Sequence, residues 1–300
     1  MTTKALCAVL LALSAVACPT TLYAATSTTE QAADFSALDA DFAKWMEEAH
    51  VPGLVWGVVK DGRLVHLKAM GVQELRTRSP VTADTAFRIA SMTKAFTGFS
   101  ILKLRDEGKL RLDDPVSKYV PETAAWAGGI TIGDLLHHTA GFVTDDPWGD
   151  RQQPLPEAEF TKMLETGVPF STAPGTRYEY SNFGYALLGR IVSNVSKQDY
   201  AARVEETLLK PLGMKSSRYE VRDVPAGKLA MGYRWENDAW SPEPVMPHGA
   251  FGAMGGLVTT GNDYAKWISY LLAAWPARPT SQPPSLTPHA PTVRITTHAC

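Results

Sequence analysis

The stretch FRIASMTKAFTGFSILKLRDEGKL, residues 87–110, holds two copies of one pattern. Ser91 stands three residues before Lys94, and Ser100 stands three before Lys103. Residues 92–105 read as a helix that ends near Gly108. On a helix, residues three apart share a face, so either pair can meet. Position separates the two copies. Ser91 falls at the helix start, where backbone N–H groups lack partners and the dipole favours negative charge. A serine attacking a carbonyl there can use its own N–H as an oxyanion donor. Ser100 lies mid-helix, and at 3.6 residues per turn it points to the side opposite Ser91. Its expected role is a local back-bond to the helix. Taken alone, Ser91 would also serve as an ordinary N-cap.

A second segment, YEYSNFGY at 178–185, gives Ser91 a partner. In an extended run, residues two apart point the same way, so Tyr180 and Asn182 can face one cleft. A tyrosine beside a lysine ammonium has its phenolate stabilised and can act as a base. His137 and His138 are adjacent, so on a helix they diverge and make a poor metal chelate. Asp113 and Asp114 before Pro115 read as a turn. No metal and no cofactor is expected. Trp148, Trp235 and Trp240 fall in loop-like stretches and could line a groove, but single exposed aromatics need no function.

Outward from these segments the pattern is α+β. Residues 35–49 carry Phe35, Leu38, Phe42 and Trp45 at helical spacing. Two β-branched-rich runs about Asp61-Gly62 predict a hairpin over residues 54–70. A short helix begins at Thr131 and is closed by Gly141. Residues 142–177 are rich in Pro, Gly and Asp and read as irregular. Helices follow from Phe183 and from Thr259, the latter with Thr260 and Asp263 spaced as a capping box. Two strands alone are marginal, so the hairpin needs further strands from the C-terminal part.

The 300 residues are 45% hydrophobic and 20% charged, with a formal net charge of −2. That is a globular composition with no sign of a nucleic-acid partner. Lys4, the apolar run of residues 5–18 and the small residues near Ala24 predict a secretory signal peptide over 1–24, hence a periplasmic or secreted protein. Cys18 offers lipidation as the alternative, although Ala15 sits where such signals carry a larger aliphatic residue. With Cys7, Cys18 and Cys300 as the only cysteines, no internal disulfide is expected within residues 25–275. No transmembrane helix is expected after signal removal, and a monomer is expected. From Pro276 the sequence has no Asp, Glu, Gly or Lys and is dominated by Pro and Thr. Residues 276–300 read as a disordered tail or as the product of a shifted reading frame.

Five segments, taken together and in order, resemble the penicilloyl-serine-transferase superfamily of class C β-lactamases, DD-peptidases and related esterases. They are FRIASMTKAFTG (87–98), LRLDDPVSKYVPE (110–122), TIGDLLHHTAGF (131–142), PGTRYEYSNFGYALLGRIV (174–192) and GAMGGLVTTGNDYAKW (252–267). The resemblance covers about residues 35–275. It implies a β-lactamase/transpeptidase-like fold, an antiparallel sheet flanked by helices plus a helical region. It implies Ser91 as nucleophile, Lys94 as its activator, Tyr180 as general base or acid, and Asn182 as the group that positions the substrate. The substrate would be a small molecule or peptide with an amide or ester bond. The family's third motif, a basic residue or His two positions before a glycine, has no match after Tyr180. His248-Gly249 has the wrong spacing. The late sheet strands are likewise expected to be missing. On that basis Leu54, Trp56 and Val58 would lack cover, and the chain would aggregate with negligible turnover. The alternative function is a non-catalytic scaffold that binds cell-wall peptide or a partner.

Overall fold

A computed structural model describes residues 34–144 and 150–274. The signal segment with Cys7 and Cys18, Trp148, and the tail from Pro276 to Cys300 lie outside the described residues.

Helix α1 spans Ser36–Glu48, and strands β1 (Gly53–Lys60) and β2 (Arg63–Glu74) form the expected hairpin. Asp61 and Gly62 both have positive φ, 51° and 73°, the turn whose twist matches the strands. Strand β3, Ser79–Pro80, pairs with the end of β2. The alternation of the strand sends Trp56 and Val55 to opposite faces. Trp56 packs on Phe42 of α1, ring centroids 4.7 Å apart, and donates to Asp39 at 3.0 Å. The same carboxylate contacts His66 of β2 at 3.1 Å. The chain's last described helix covers the Val55 face, as shown below. Leu54, Trp56 and Val58 are thus half-buried, which corrects the expectation that they stay bare and removes the ground given for aggregation and negligible turnover. Among the described residues, no strand pairs with the outer edge of β1.

Strand β4 (Ala86–Arg88) leads through a tight turn over Ala90–Met92 into α2, Thr93–Asp106. Helix α3 spans only Ile132–Leu136. Thr131 and Asp134 close a full capping box at its start. His138 takes φ 57° and turns the chain out of the helix, three residues before the Gly141 expected to close it. Helix α4, Glu157–Thr166, lies inside the stretch read as irregular. Pro156 precedes it, and Phe160 and Leu164, four apart, bury its inner face. Helix α5, Asn182–Ser196, is buried on all sides over its first two turns and forms the central post of the helical region. Helix α6 spans Tyr200–Val204.

Strands β5 (Tyr233–Glu236) and β6 (Ala239–Pro242) make a second hairpin. Its Trp235 stacks on His50 at 4.1 Å, and Trp240 meets the same ring edge-on. Helix α7 (Gly252–Gly255) and strand β7 (Val258–Thr260) follow, and β7 pairs antiparallel with β4. Helix α8 spans Gly261–Ala274. A Cβ on Gly261 would sit 2.6 Å from Val55, so the helix start rests directly on the hairpin. Only half of the expected capping box forms here. Asp263 N–H donates to Thr260, but the Asp263 carboxylate accepts instead from Ser216 N–H at 2.7 Å and Ser217 Oγ at 3.0 Å.

One core joins α2, α5, α7 and α8. Trp267 of α8 is fully buried, stacks on Phe96 at 4.3 Å and meets Phe99 edge-on at 4.9 Å. Trp267→Ala would leave a large cavity at this junction and is expected to cost about 3–5 kcal/mol of unfolding free energy. Denaturant unfolding followed by circular dichroism checks this, and a loss below about 1 kcal/mol would show that α8 is not part of the core.

Candidate active site

The approach to Ser91 is set by backbone. Strand β4 is held by β7, and Ala90 then takes φ 45°, a left-handed turn that is costly for a residue with a Cβ. The reversal leaves Ser91 exposed at the entrance to α2. Gly255 of α7 lies behind it, and a Cβ there would stand 3.5 Å from the Ala90 carbonyl carbon. Ser100 is buried and donates to the Phe96 carbonyl at 2.9 Å, while Lys103 is exposed. The second copy of the pattern is therefore a back-bonded helical serine and a surface lysine.

Lys94 is the second residue of α2, one turn on from Ser91, and is 7% exposed. Its ammonium donates to Ser91 Oγ at 3.0 Å, to Asn182 Oδ1 at 2.6 Å and to the Met254 carbonyl at 2.9 Å. The ammonium thus meets oxygens from the Ser91 turn, from α5 and from α7. The Met254 carbonyl belongs to the last turn of α7, where carbonyls lack intrahelical partners and carry the negative end of the helix dipole. Asn182 is the first residue of α5 and is 6% exposed. Ser181, not Asn182, is the N-cap, accepting from Gly184 N–H at 2.9 Å.

Tyr180 precedes that cap. Its Oη is 2.6 Å from Ser91 Oγ, and Lys94 Nζ lies 4.9 Å from its ring centroid. Ser91, Lys94, Tyr180 and Asn182 therefore meet at one place, as the spacing and the resemblance imply. A short contact between a serine hydroxyl and a tyrosine oxygen beside a cation is an arrangement in which one proton can pass from serine to a phenolate, the cation stabilising whichever oxygen is left negative.

His138 belongs to the same cluster, which the sequence did not suggest. Its ring stacks on Tyr180 at 4.7 Å, and its Nδ1 accepts from Ser181 N–H at 3.0 Å. Burial, followed by the charge of Lys94, pushes its pKa down to about 4. His137 is exposed and turned away. His248 packs behind α7, edge-on to Tyr219 at 5.1 Å and pressed against Gly252, so it is no substitute for the third motif. Among the described residues, no group of three His, Cys, Asp or Glu side chains is placed to hold a metal ion. No described helix is long and apolar enough to cross a membrane.

Comparison with known proteins identifies the family and the fold. The beta-lactamase family model matches residues 38–296. Protein flp of Staphylococcus aureus (strain MW2) is 33% identical over 239 residues, covering 76% of this chain and 47% of that protein. Among solved structures, the octameric penicillin-binding protein homologue from Pyrococcus abyssi superposes with a TM-score of 0.70 at 31% identity, over 80% of this chain and 57% of that one. A class C beta lactamase from Rhodobacter sphaeroides superposes with a TM-score of 0.67 at 31% identity, over 81% of this chain and 67% of that one. The chain spans about half the length of the curated relatives it matches. Four convergent side chains, the fold that carries them and a family match across most of the sequence place this chain in the beta-lactamase family.

Proposed function

We propose that this protein is a serine hydrolase that transfers an acyl group from an amide or ester to Ser91 and then to water. The observation that carries the reading is the contact of Ser91 Oγ with Tyr180 Oη at 2.6 Å while Lys94 Nζ donates to the same Oγ at 3.0 Å. In the forward step Tyr180, starting as the phenolate that the Lys94 charge stabilises, takes the Ser91 proton as Oγ attacks the substrate carbonyl. The Lys94 charge stabilises the alkoxide and the phenolate without leaving its three oxygens. The Ser91 backbone N–H, at the helix start, faces the developing oxyanion. Tyr180 returns the proton to the leaving group. Water, deprotonated by the same phenolate, then attacks the acyl carbonyl, and Tyr180 hands that proton to Ser91 Oγ as the acid leaves. Esters, peptides ending in D-amino acids and β-lactams all present such a carbonyl, and the structural relatives are named for penicillin binding and for β-lactamase. The N-terminal segment places the reaction outside the cytoplasm in this reading.

A scaffold that merely binds peptide does not require a lysine buried at the price of its hydration. Burying a charge costs several kcal/mol unless it is paired and bonded, and such arrangements concentrate at reactive sites. That favours the catalytic reading over the binding one.

Hydrolysis of p-nitrophenyl esters and of nitrocefin tests the roles. Ser91→Ala is expected to abolish turnover, and Tyr180→Phe to lower kcat by about 10²–10⁴. Ser100→Ala is expected to hydrolyse like the unsubstituted protein. Undiminished turnover by Ser91→Ala would remove the nucleophile assignment.

The Met254 contact gives a second test. A Cβ on Gly189 of α5 would lie 2.5 Å from the Ala253 Cβ of α7. Gly189→Ala must push α7 off α5 and carry the Met254 carbonyl away from Lys94, at an overpacking cost of about 1–3 kcal/mol. Ester turnover is expected to fall with it, and Ala253→Gly in the same chain is expected to restore both. A Gly189→Ala protein with full turnover would show that the Met254 carbonyl does not set the lysine.

A further inference from the structure

We propose that His138 is the positioning residue for the Tyr180 phenol, holding it within hydrogen-bond reach of Ser91. The inference rests on the reading of Tyr180 as the base.

A tyrosine in an extended segment is fixed only at its backbone, and its ring can swing about the Cα–Cβ bond. His138 restrains both. It leaves α3 with φ 57°, which turns its carbonyl and its ring toward the incoming segment that ends at α5. Its carbonyl accepts from Glu179 N–H at 2.7 Å, and its Nδ1 accepts from Ser181 N–H at 3.0 Å. One residue thus grips the backbone on each side of Tyr180. Thr144 Oγ1 holds the Tyr180 carbonyl at 3.2 Å. The His138 ring lies against the Tyr180 ring at 28° and blocks its swing away from Ser91. The histidine is itself wedged by Tyr185 at 5.0 Å and by the edge of Tyr178 at 5.5 Å.

The device works only with a neutral ring. Nδ1 accepts from Ser181 in the tautomer that carries its proton on Nε2, whereas an imidazolium would set one N–H against another. The nearby Lys94 charge and the burial of the ring keep it in the neutral form at ordinary pH.

Rates of fluorophosphonate labelling of Ser91 test the assignment, with thermal melts run beside them. His138→Ala is expected to slow labelling by about 10²-fold, the loss that a displacement near 1 Å produces. His138→Asn, which keeps an acceptor at the Nδ1 position, is expected to recover most of that loss. His138→Phe, which keeps a ring and loses the acceptor, is expected to recover less. Tyr180→Phe alone separates the two readings. If it labels at the full rate, Tyr180 is not the base and the underlying reading fails. If it labels slowly, His138→Ala added to it is expected to cost nothing more, because the histidine acts through the phenol. Losses that multiply in the double variant, or an unslowed His138→Ala beside a slowed Tyr180→Phe, would overturn the positioning role. Should His138→Ala fail to melt cooperatively, the Asn and Phe variants decide, and equal rates for those two would also overturn it.

Discussion

Lys94 carries a full charge to a position 7% exposed, and the surrounding architecture answers to that charge. A buried ammonium is tolerable only where oxygens replace its water shell. Here the oxygens come from the Ser91 turn, from the first residue of α5 and from the last turn of α7. The three elements are far apart in sequence, so the lysine ties the α2 entrance, the central helix and the late α7 segment to one point. The small residues around α7 fit this role. Gly189 lets α7 close on α5, and Gly255 lies beside Ala90. The strained φ of Ala90 is held in place by that packing and by the β4–β7 ribbon.

The four side chains of the site differ in rigidity. Lys94 and Asn182 are buried and over-determined by packing, whereas Ser91 is exposed. Tyr180 stands between these regimes, with its hydroxyl at the cleft and its backbone gripped by His138 and Thr144. Electrostatic preorganisation of this kind stabilises developing charge without reorganisation during the reaction.

Much of this was legible in the sequence, for identifiable reasons. Helix phase alone separates Ser91 from Ser100, and the structure places the second serine in the back-bond expected of it. The Asp61-Gly62 hairpin follows from local turn chemistry, and the helix read from Phe183 follows from its apolar face and begins one residue earlier, at Asn182. Helix α4 was hidden because Pro156 and the Asp-rich surroundings mask a pattern resting on Phe160 and Leu164. The cover over Trp56 was misjudged because it comes from α1, and no local pattern reports which helix lies on which strand. The Met254 carbonyl has no side-chain signature. His138 was weighed as a metal ligand and set aside, and its place beside Tyr180 stayed hidden because their stack joins residues more than forty apart in sequence.

The central claim is that Ser91, activated by Tyr180 and Lys94, receives the acyl group. Trypsin cuts after Arg88 and Lys94, so the nucleophile falls in the short peptide Ile89–Lys94, while Ser100 falls in the next, Ala95–Lys103. Rapid acid quench during ester turnover, followed by peptide mass analysis, is expected to find one acyl group on Ile89–Lys94. Finding it on Ala95–Lys103, or on any other peptide in its place, would contradict the account.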